Sequence, residues 1–395
     1  MNIAMILERQ FPFDERVEKE AQSLIAKGHK VFILSFNYDG LAEVEDYKGI
    51  SVHRFRISRK VYNKLSPLHR VFPLYYLIWK KVACRFFKDH DIDVIHVHDL
   101  PLANLGVWLK RKFGCKLILD QHELWSETVK HYRHYNTFVG TIVRKLSCWG
   151  IYEKRQFKQA DKIITVEEPI KTWYVDNTNT SEKKIIVVPN TPLKEQIEKI
   201  SFKEREDKAG FILYYAGKID HNRYIDSVIK ALPKLLEKIP EIKFNIAGNI
   251  AKACDPRIWA KQYGVEKQVR YLGQLSYEDM MQKMKDADIC ISLLPSYSEE
   301  LNRTIVTKIY QYIQLQKPMI VSRTDYIQEF VRKHKIGSVV NEEDPQTIYK
   351  EVLALYKNKE TMNLYAQNCA KIKESLIWEK TVQALLNLYR DMDKV

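Results

Sequence analysis

Two cations, Lys218 and Arg223, stand five residues apart in a short polar loop that follows the apolar run Phe211–Ala216. That run has the length and aromatic content of a strand, and Gly217 ends it. A helix then begins near Asp226, with Val228, Ile229, Leu232, Leu235 and Leu236 at helical spacing. Fixed positive charge at the carboxyl end of a strand that feeds a helix lies where open α/β sheets bind their ligands. Two cations there suit a polyanion such as a diphosphate. A solvated basic loop has the same composition, so the context has to decide. A second group is His98 and Asp99, at the end of the run 93–98, with His122 and Glu123 after the run 116–120. If those two strands are neighbours, all four side chains line one cleft. His96 and His98 put both rings on one face of a strand, but no third ligand has metal-like spacing, so no metal is expected. A third feature is the loop 296–303 and the helix start at 304–308. A helix N-terminus offers free N–H groups to an anion, and Thr304 or Thr307 is placed to cap it.

These groups need a scaffold. Residues 3–7 have strand character, 8–16 form a polar loop with Arg9, Asp14, Glu15 and Arg16, 17–27 form a helix closed by Gly28, and 30–36 form the next strand. Such a βαβ beginning implies a parallel sheet with right-handed crossovers. The first loop lacks GxGxxG and is no dinucleotide fingerprint. Further strands are expected at 161–167 and 184–189, and Asn190-Thr191-Pro192 closes the half in turn chemistry. Residues 191–210 are polar and charged, as a linker would be, and the alternation of strands and helices then restarts. The expected division is 1–193, 194–375 and a terminal helix 376–395, with Val382, Leu385, Leu386 and Tyr389 on its apolar face. The fold class is α/β, with two doubly wound parallel-sheet domains.

Composition narrows the partners. The chain has 395 residues, 45% of them hydrophobic, and a net charge of +14, which favours anionic ligands or surfaces. Six cysteines are scattered without zinc spacing, as in a reduced, cytoplasmic protein. The start has strand character rather than that of a signal peptide, and no apolar run reaches the roughly 18 residues of a spanning helix. Residues 54–88 carry ten Lys or Arg and no Asp or Glu, interleaved with aromatics, and residues 130–158 form a second such stretch. Basic and aromatic residues at helical spacing suit docking on an anionic bilayer, on the inner face of the plasma membrane; the competing account puts the aromatics in the core. No nucleic-acid-binding motif is present.

In order and spacing, the motifs together resemble the retaining GT-B glycosyltransferases of family 4, also called group 1, over nearly the full length. The segments that carry the likeness are Phe-Pro-Phe-Asp-Glu-Arg-Val-Glu-Lys-Glu-Ala at 11–21, His-Val-His-Asp at 96–99, Asp-Gln-His-Glu at 120–123, Ile-Val-Val-Pro-Asn at 186–190, Ala-Gly-Lys at 216–218 with Arg223, Asn-Ile-Ala-Gly at 245–248, and Thr-Lys-Ile-Tyr-Gln-Tyr at 307–312 before Lys317-Pro318.

The resemblance implies two Rossmann-like domains facing a central cleft. It also implies transfer of a hexosyl-type sugar from a nucleotide-sugar to a glycan or lipid-linked acceptor, in polysaccharide or glycolipid synthesis. Lys218 and Arg223 would hold the donor diphosphate with the helix start, and His122 would be the active-site histidine. Gly248, Tyr271, Glu300, Thr304, Thr307, Lys308 and Gln311 would border the nucleotide-sugar. Asp14, Arg16 and Asp99 would join His122 on the acceptor side. The family's carboxylate pair, eight residues apart, falls here at Arg303 and Gln311. Gln311 can still bond a ribose hydroxyl, whereas Arg303 accepts no hydrogen bond, so that donor contact is missing or comes from Glu299 or Glu300. The pairs Asp91/Asp93 and Asp286/Asp288 precede strands and point to the wrong sheet end for a metal-binding Asp-x-Asp. The implied enzyme therefore uses no metal and no cofactor beyond its donor. The alternatives are a GT-B sugar-nucleotide epimerase or hydrolase, and a degenerate, non-catalytic carbohydrate- or nucleotide-binding member.

Overall fold

The computed structural model describes residues 1–66, 74–131, 142, 145, 148–205 and 210–393. The chain divides into two compact units, Met1–Asn190 with Val382–Val395, and Thr191–Thr381.

The first unit is built on eight strands: β1 (Asn2–Gln10), β2 (Lys30–Asn37), β3 (Val44–Tyr47), β4 (Ile50–Arg56), β5 (Val94–His98), β6 (Lys116–Gln121), β7 (Lys162–Thr165) and β8 (Ile185–Val187). Their order is β3-β4-β2-β1-β5-β6-β7-β8, parallel except for the β3–β4 hairpin at the edge. The second unit holds β9 (Phe211–Ala216), β10 (Ile242–Ala247), β11 (Val269–Tyr271), β12 (Ile289–Ser292), β13 (Met319–Ser322) and β14 (Gly337–Val340), all parallel, in the order β11-β10-β9-β12-β13-β14. The strand order reverses between β1 and β5 in the first sheet and between β9 and β12 in the second. Those reversals leave crevices at the carboxyl ends of the strands, where side chains are free to face a ligand.

Strand β9 shows why so apolar a run is stable. Phe211, Leu213 and Tyr215 point into one cluster and Ile212, Tyr214 and Ala216 into the other, so both faces of the strand are covered.

Several expectations change. The basic–aromatic stretch 54–88 is largely core: Tyr75, Trp79, Phe86 and Phe87 are buried, and Arg54 lies within β4. There its Nε donates to the Phe11 carbonyl at 3.0 Å and its guanidinium pairs with Glu45 at 2.7 Å. Only one face of the helix Leu74–Asp89 is open, through Leu74, Leu77, Lys81, Arg85 and Lys88. Residues 67–73, and residues 132–141, 143–144 and 146–147 of the second stretch, lie outside the described residues. The terminal segment is not one helix. A 3-10 turn at Lys373–Ser375 precedes helices Trp378–Thr381 and Gln383–Asp393, and the Trp378 N–H donates to the Pro192 carbonyl at 2.9 Å, tying that corner to the second unit. The first unit therefore ends at Asn190 and resumes at Val382. The last helix buries Leu385, Leu388, Tyr389 and Met392, a stripe that leaves Leu386 half-buried.

Candidate functional site

In the first unit, the strand ends converge on one carboxylate. Register places His98 of β5 opposite Asp120 of β6. The alternation of a strand puts His96 beside His98 on the same face, with the rings stacked at 4.5 Å. Asp120 has no exposed surface. One oxygen lies 3.3 Å from the Arg16 guanidinium; the other lies 3.0 Å from His122 Nε2, 3.4 Å from His98 Nδ1 and 3.6 Å from His96 Nε2. Arg16 also pairs with Glu20 at 3.0 Å and donates to the Val188 carbonyl at 2.9 Å. His122 Nδ1 faces Asp99 at 3.7 Å. Asp14 caps the helix Glu15–Ile25 by accepting the Val17 N–H at 3.2 Å.

Burial and charge sort these groups. Burial alone would strip the proton from His122, but Asp120 and Asp99 outweigh it and raise its pKa to about 9. His98 is pushed down to about 3 by burial and by His96, and burial lowers His96 as well. Asp120 is held well below the usual carboxylate range: burial opposes its charge, and Arg16 and His122 overcome that. Glu20 is raised to about 8 by burial and by the Asp120 charge. Asp14 is lowered against burial, chiefly by His122 and His98. At neutral pH the set thus holds one cationic imidazole, two neutral ones and a protonated glutamic acid.

Glu20, His96, His98 and Asp120 place ligand atoms within 4.8 Å of one another, a spacing a metal ion could use. The Arg16 guanidinium already contacts both carboxylates, and an incoming divalent ion would have to displace this buried cation. We describe the set as an ion-paired network.

The structure brings His122, Asp99 and Asp14 together as expected from sequence. It moves Arg16 away from a ligand-facing position, because Arg16 is spent on Asp120, Glu20 and Val188. Sequence reasoning missed Asp120 and Glu20 as members. The available signal was an acid two residues before a strand-end histidine.

In the second unit, Gly217 follows β9 at φ 140° and Gly248 follows β10 at φ 128°. A Cβ on Gly248 would fall 1.9 Å from the Gly217 carbonyl oxygen, so only glycine lets these strand ends meet. A pocket of about 470 Å³ opens there, lined among others by Gly217, Lys218, Gly248, Asn249, Gln274 and Met280. Tyr271 borders it indirectly, donating to the Gly248 carbonyl at 2.8 Å. Lys218 is 66% exposed and lies 3.2 Å from Asp220, which also faces Arg223 Nε at 3.9 Å. Lys308 reaches back from the helix Thr307–Gln314, with its ammonium 4.2 Å from the Tyr215 ring centroid, where a Cβ on Gly217 would fall 3.0 Å from it. Burial and the Arg223 charge push the Lys308 amine down to about 7. Tyr297, 60% exposed, donates to Asn222 at 3.1 Å and so links the 296–303 loop to the cation loop.

The helix start differs from expectation. The helix begins at Thr307 after an extended Val306, and neither Thr304 nor Thr307 caps it through a side-chain hydrogen bond. Ile305 is buried and draws the chain inward before the helix can start. Glu300 and Thr304 sit in the preceding loop, Thr307 and Gln311 on the helix, and none of the four lines the pocket. Arg303 is ion-paired with Glu299, so Glu299 is not a free substitute for the missing carboxylate.

Residues 16–191 match the family description "Glycosyltransferase Family 4", and residues 196–372 match "Glycosyl transferases group 1". An uncharacterized glycosyltransferase of Methanocaldococcus jannaschii is 21% identical over 390 residues, covering 97% of this chain and 96% of that protein. Alpha-monoglucosyldiacylglycerol synthase of Streptococcus pneumoniae is 20% identical over 357 residues, covering 86% and 75%. Among solved structures, Anabaena HepE in complex with UDP superposes with a TM-score of 0.69 at 13% identity, covering all of both chains.

Proposed function

This chain belongs to the group 1, family 4 glycosyltransferases of GT-B fold, and from that premise we propose that it moves a sugar from a nucleoside-diphosphate donor to a glycan or lipid-linked acceptor. The observation that carries the donor assignment is the charge around Gly217: Lys218, Arg223 and Lys308 are gathered there with one carboxylate, Asp220, paired to two of them. A diphosphate supplies the missing negative charge. Negative charge grows on the leaving phosphate as the glycosidic bond breaks, so cations already in place lower the barrier. The glycine-built pocket beside them takes the nucleoside, with Tyr271 holding its wall.

In the first unit, His122 donates to a sugar hydroxyl while Asp99 and Asp14 accept. Hexosyl transfer with retention of configuration and without metal follows from the family reading. Gln311, which does not line that pocket, is not assigned the ribose contact, and Arg303 leaves the other carboxylate contact unfilled. The open face of the helix Leu74–Asp89, with Leu74 and Leu77 beside Lys81 and Arg85, suits docking on an anionic lipid surface near a lipid-linked acceptor. The related synthase from Streptococcus pneumoniae, whose name describes a glycolipid product, supports that choice of acceptor.

The test is calorimetry with UDP, GDP and their sugar conjugates, followed by transfer assays with and without EDTA. Binding of one nucleoside diphosphate and EDTA-resistant transfer to a lipid or glycan acceptor is the expected result. Nucleotide release that is indifferent to any acceptor favours the epimerase or hydrolase alternative. Binding without turnover favours the degenerate one, which the Arg303 and Gln311 departures motivate.

A further inference from the structure

We propose that Asp120 is a positioning residue of the transfer reaction, holding both His122 and Asp99 in place while touching no substrate itself. The inference rests on the glycosyl-transfer reading above and adds a residue to it. Asp120 is buried on β6, so any effect it has must act through a neighbour. It reaches both members of the strand-end pair. Its carboxylate lies 3.0 Å from His122 Nε2, and its main-chain carbonyl accepts the Asp99 N–H at 2.8 Å. Asp99 needs that hold, because its backbone sits at φ 64° and ψ 157°, a conformation that residues with a Cβ rarely adopt.

The pairing also decides what His122 can do. Nε2 faces the Asp120 carboxylate and Nδ1 faces the Asp99 carboxylate at 3.7 Å. Each carboxylate asks for an N–H, so the ring is favoured with protons on both nitrogens. Such a ring donates hydrogen bonds and cannot take a proton from an acceptor hydroxyl. The titratable groups acting on it are Asp120 from β6, Asp99 after β5, Asp14, Arg16 and Glu20 from the first loop and helix, and His96 and His98 from β5. Of these, Arg16, His96 and His98 oppose the proton; Arg16 is already paired with the Asp120 carboxylate, and both imidazoles are held neutral.

The back of Asp120 is braced as well. Arg16 grips its other oxygen at 3.3 Å. His96 stands 3.6 Å away and shares a 2.8 Å hydrogen bond with the Tyr389 hydroxyl of the last helix. A buried carboxylate fixed from two sides cannot turn away from His122, which is the property a positioning group needs.

The experiment follows the ring itself. In wild-type protein labelled with ¹⁵N-histidine, both His122 nitrogens should remain protonated past pH 8. In Asp120→Asn, the titration should fall back toward the ordinary imidazole range. Turnover should drop on the order of 10–100-fold with donor KM nearly unchanged, because the donor cations are untouched. A wild-type His122 that titrates at or below the ordinary range overturns the proposal, as does an Asp120→Asn protein that loses the shifted titration but keeps full turnover. Should Asp120→Asn fail to fold, the wild-type titration decides alone. A protein that transfers no sugar from any nucleotide-sugar defeats the functional reading, while the titration needs no substrate and still tests this one.

Discussion

The two strand-end clusters handle charge in opposite ways. In the first unit the two cations of the cluster have counter-charge close by: Arg16 on Asp120, and His122 between Asp120 and Asp99. In the second, Lys218 and Arg223 share Asp220, and Lys308 is kept partly uncharged by burial and by the Arg223 charge. A compensated cluster is rigid and indifferent to anions. An under-compensated one has positive charge left for an anion. On the proposed reading, the difference suits orientation in the first unit and phosphate binding in the second.

The comparison breaks most directly at the cations. Lys218→Ala and Arg223→Ala are each expected to cost on the order of 100-fold in turnover. Near-wild-type rates in both would remove them from the mechanism. The first unit is tested by pH. With His122 required as a cation and its pKa near 9, the rate should fall about tenfold per unit above that pH. The associated stability is complete below the ordinary 6.5 and lost as the pH rises through about 9. A flat pH profile to pH 10 would show that the charge on His122 does not matter.

Lys308 sharpens the contrast. With an amine near 7 in the free protein, a bound diphosphate should restore its charge and draw in up to one proton at pH 8. Calorimetry in two buffers of different ionisation enthalpy reads that uptake, and none at all would place the diphosphate elsewhere. Glu8, buried under hydrogen bonds from Tyr75 at 2.6 Å and Ser66 at 3.1 Å, shows what the first unit costs. Burial raises its pKa from 4.5 to about 7, so the folded state holds the proton longer and stability falls as pH rises through that window. Glu8→Gln should level that limb and stabilise the protein by about 1–2 kcal/mol at pH 8, measured by denaturant titration. The smallest expected effect is at Asp220. Asp220→Asn frees two cations and should tighten diphosphate binding about two- to threefold at low salt, with the gain fading as salt rises.

Much of this was legible in the chain. The run Phe211–Ala216, the cations after it and the glycines at 217 and 248 were visible because a parallel strand buried on both faces must be continuously apolar, and its end must turn. His122, Asp99 and the Lys308 helix lay at strand and helix ends that periodicity locates. Tertiary structure decided the charge pairing. Asp220 between Lys218 and Arg223, Arg16 turned inward onto Asp120, Val306 in place of a threonine cap, and Tyr75, Trp79, Phe86 and Phe87 folded into the core all depend on which elements become neighbours. Sequence spacing fixes which face a side chain occupies within its own element. The partner that face meets, and therefore the charge it carries, is set by packing between elements that lie far apart in the chain.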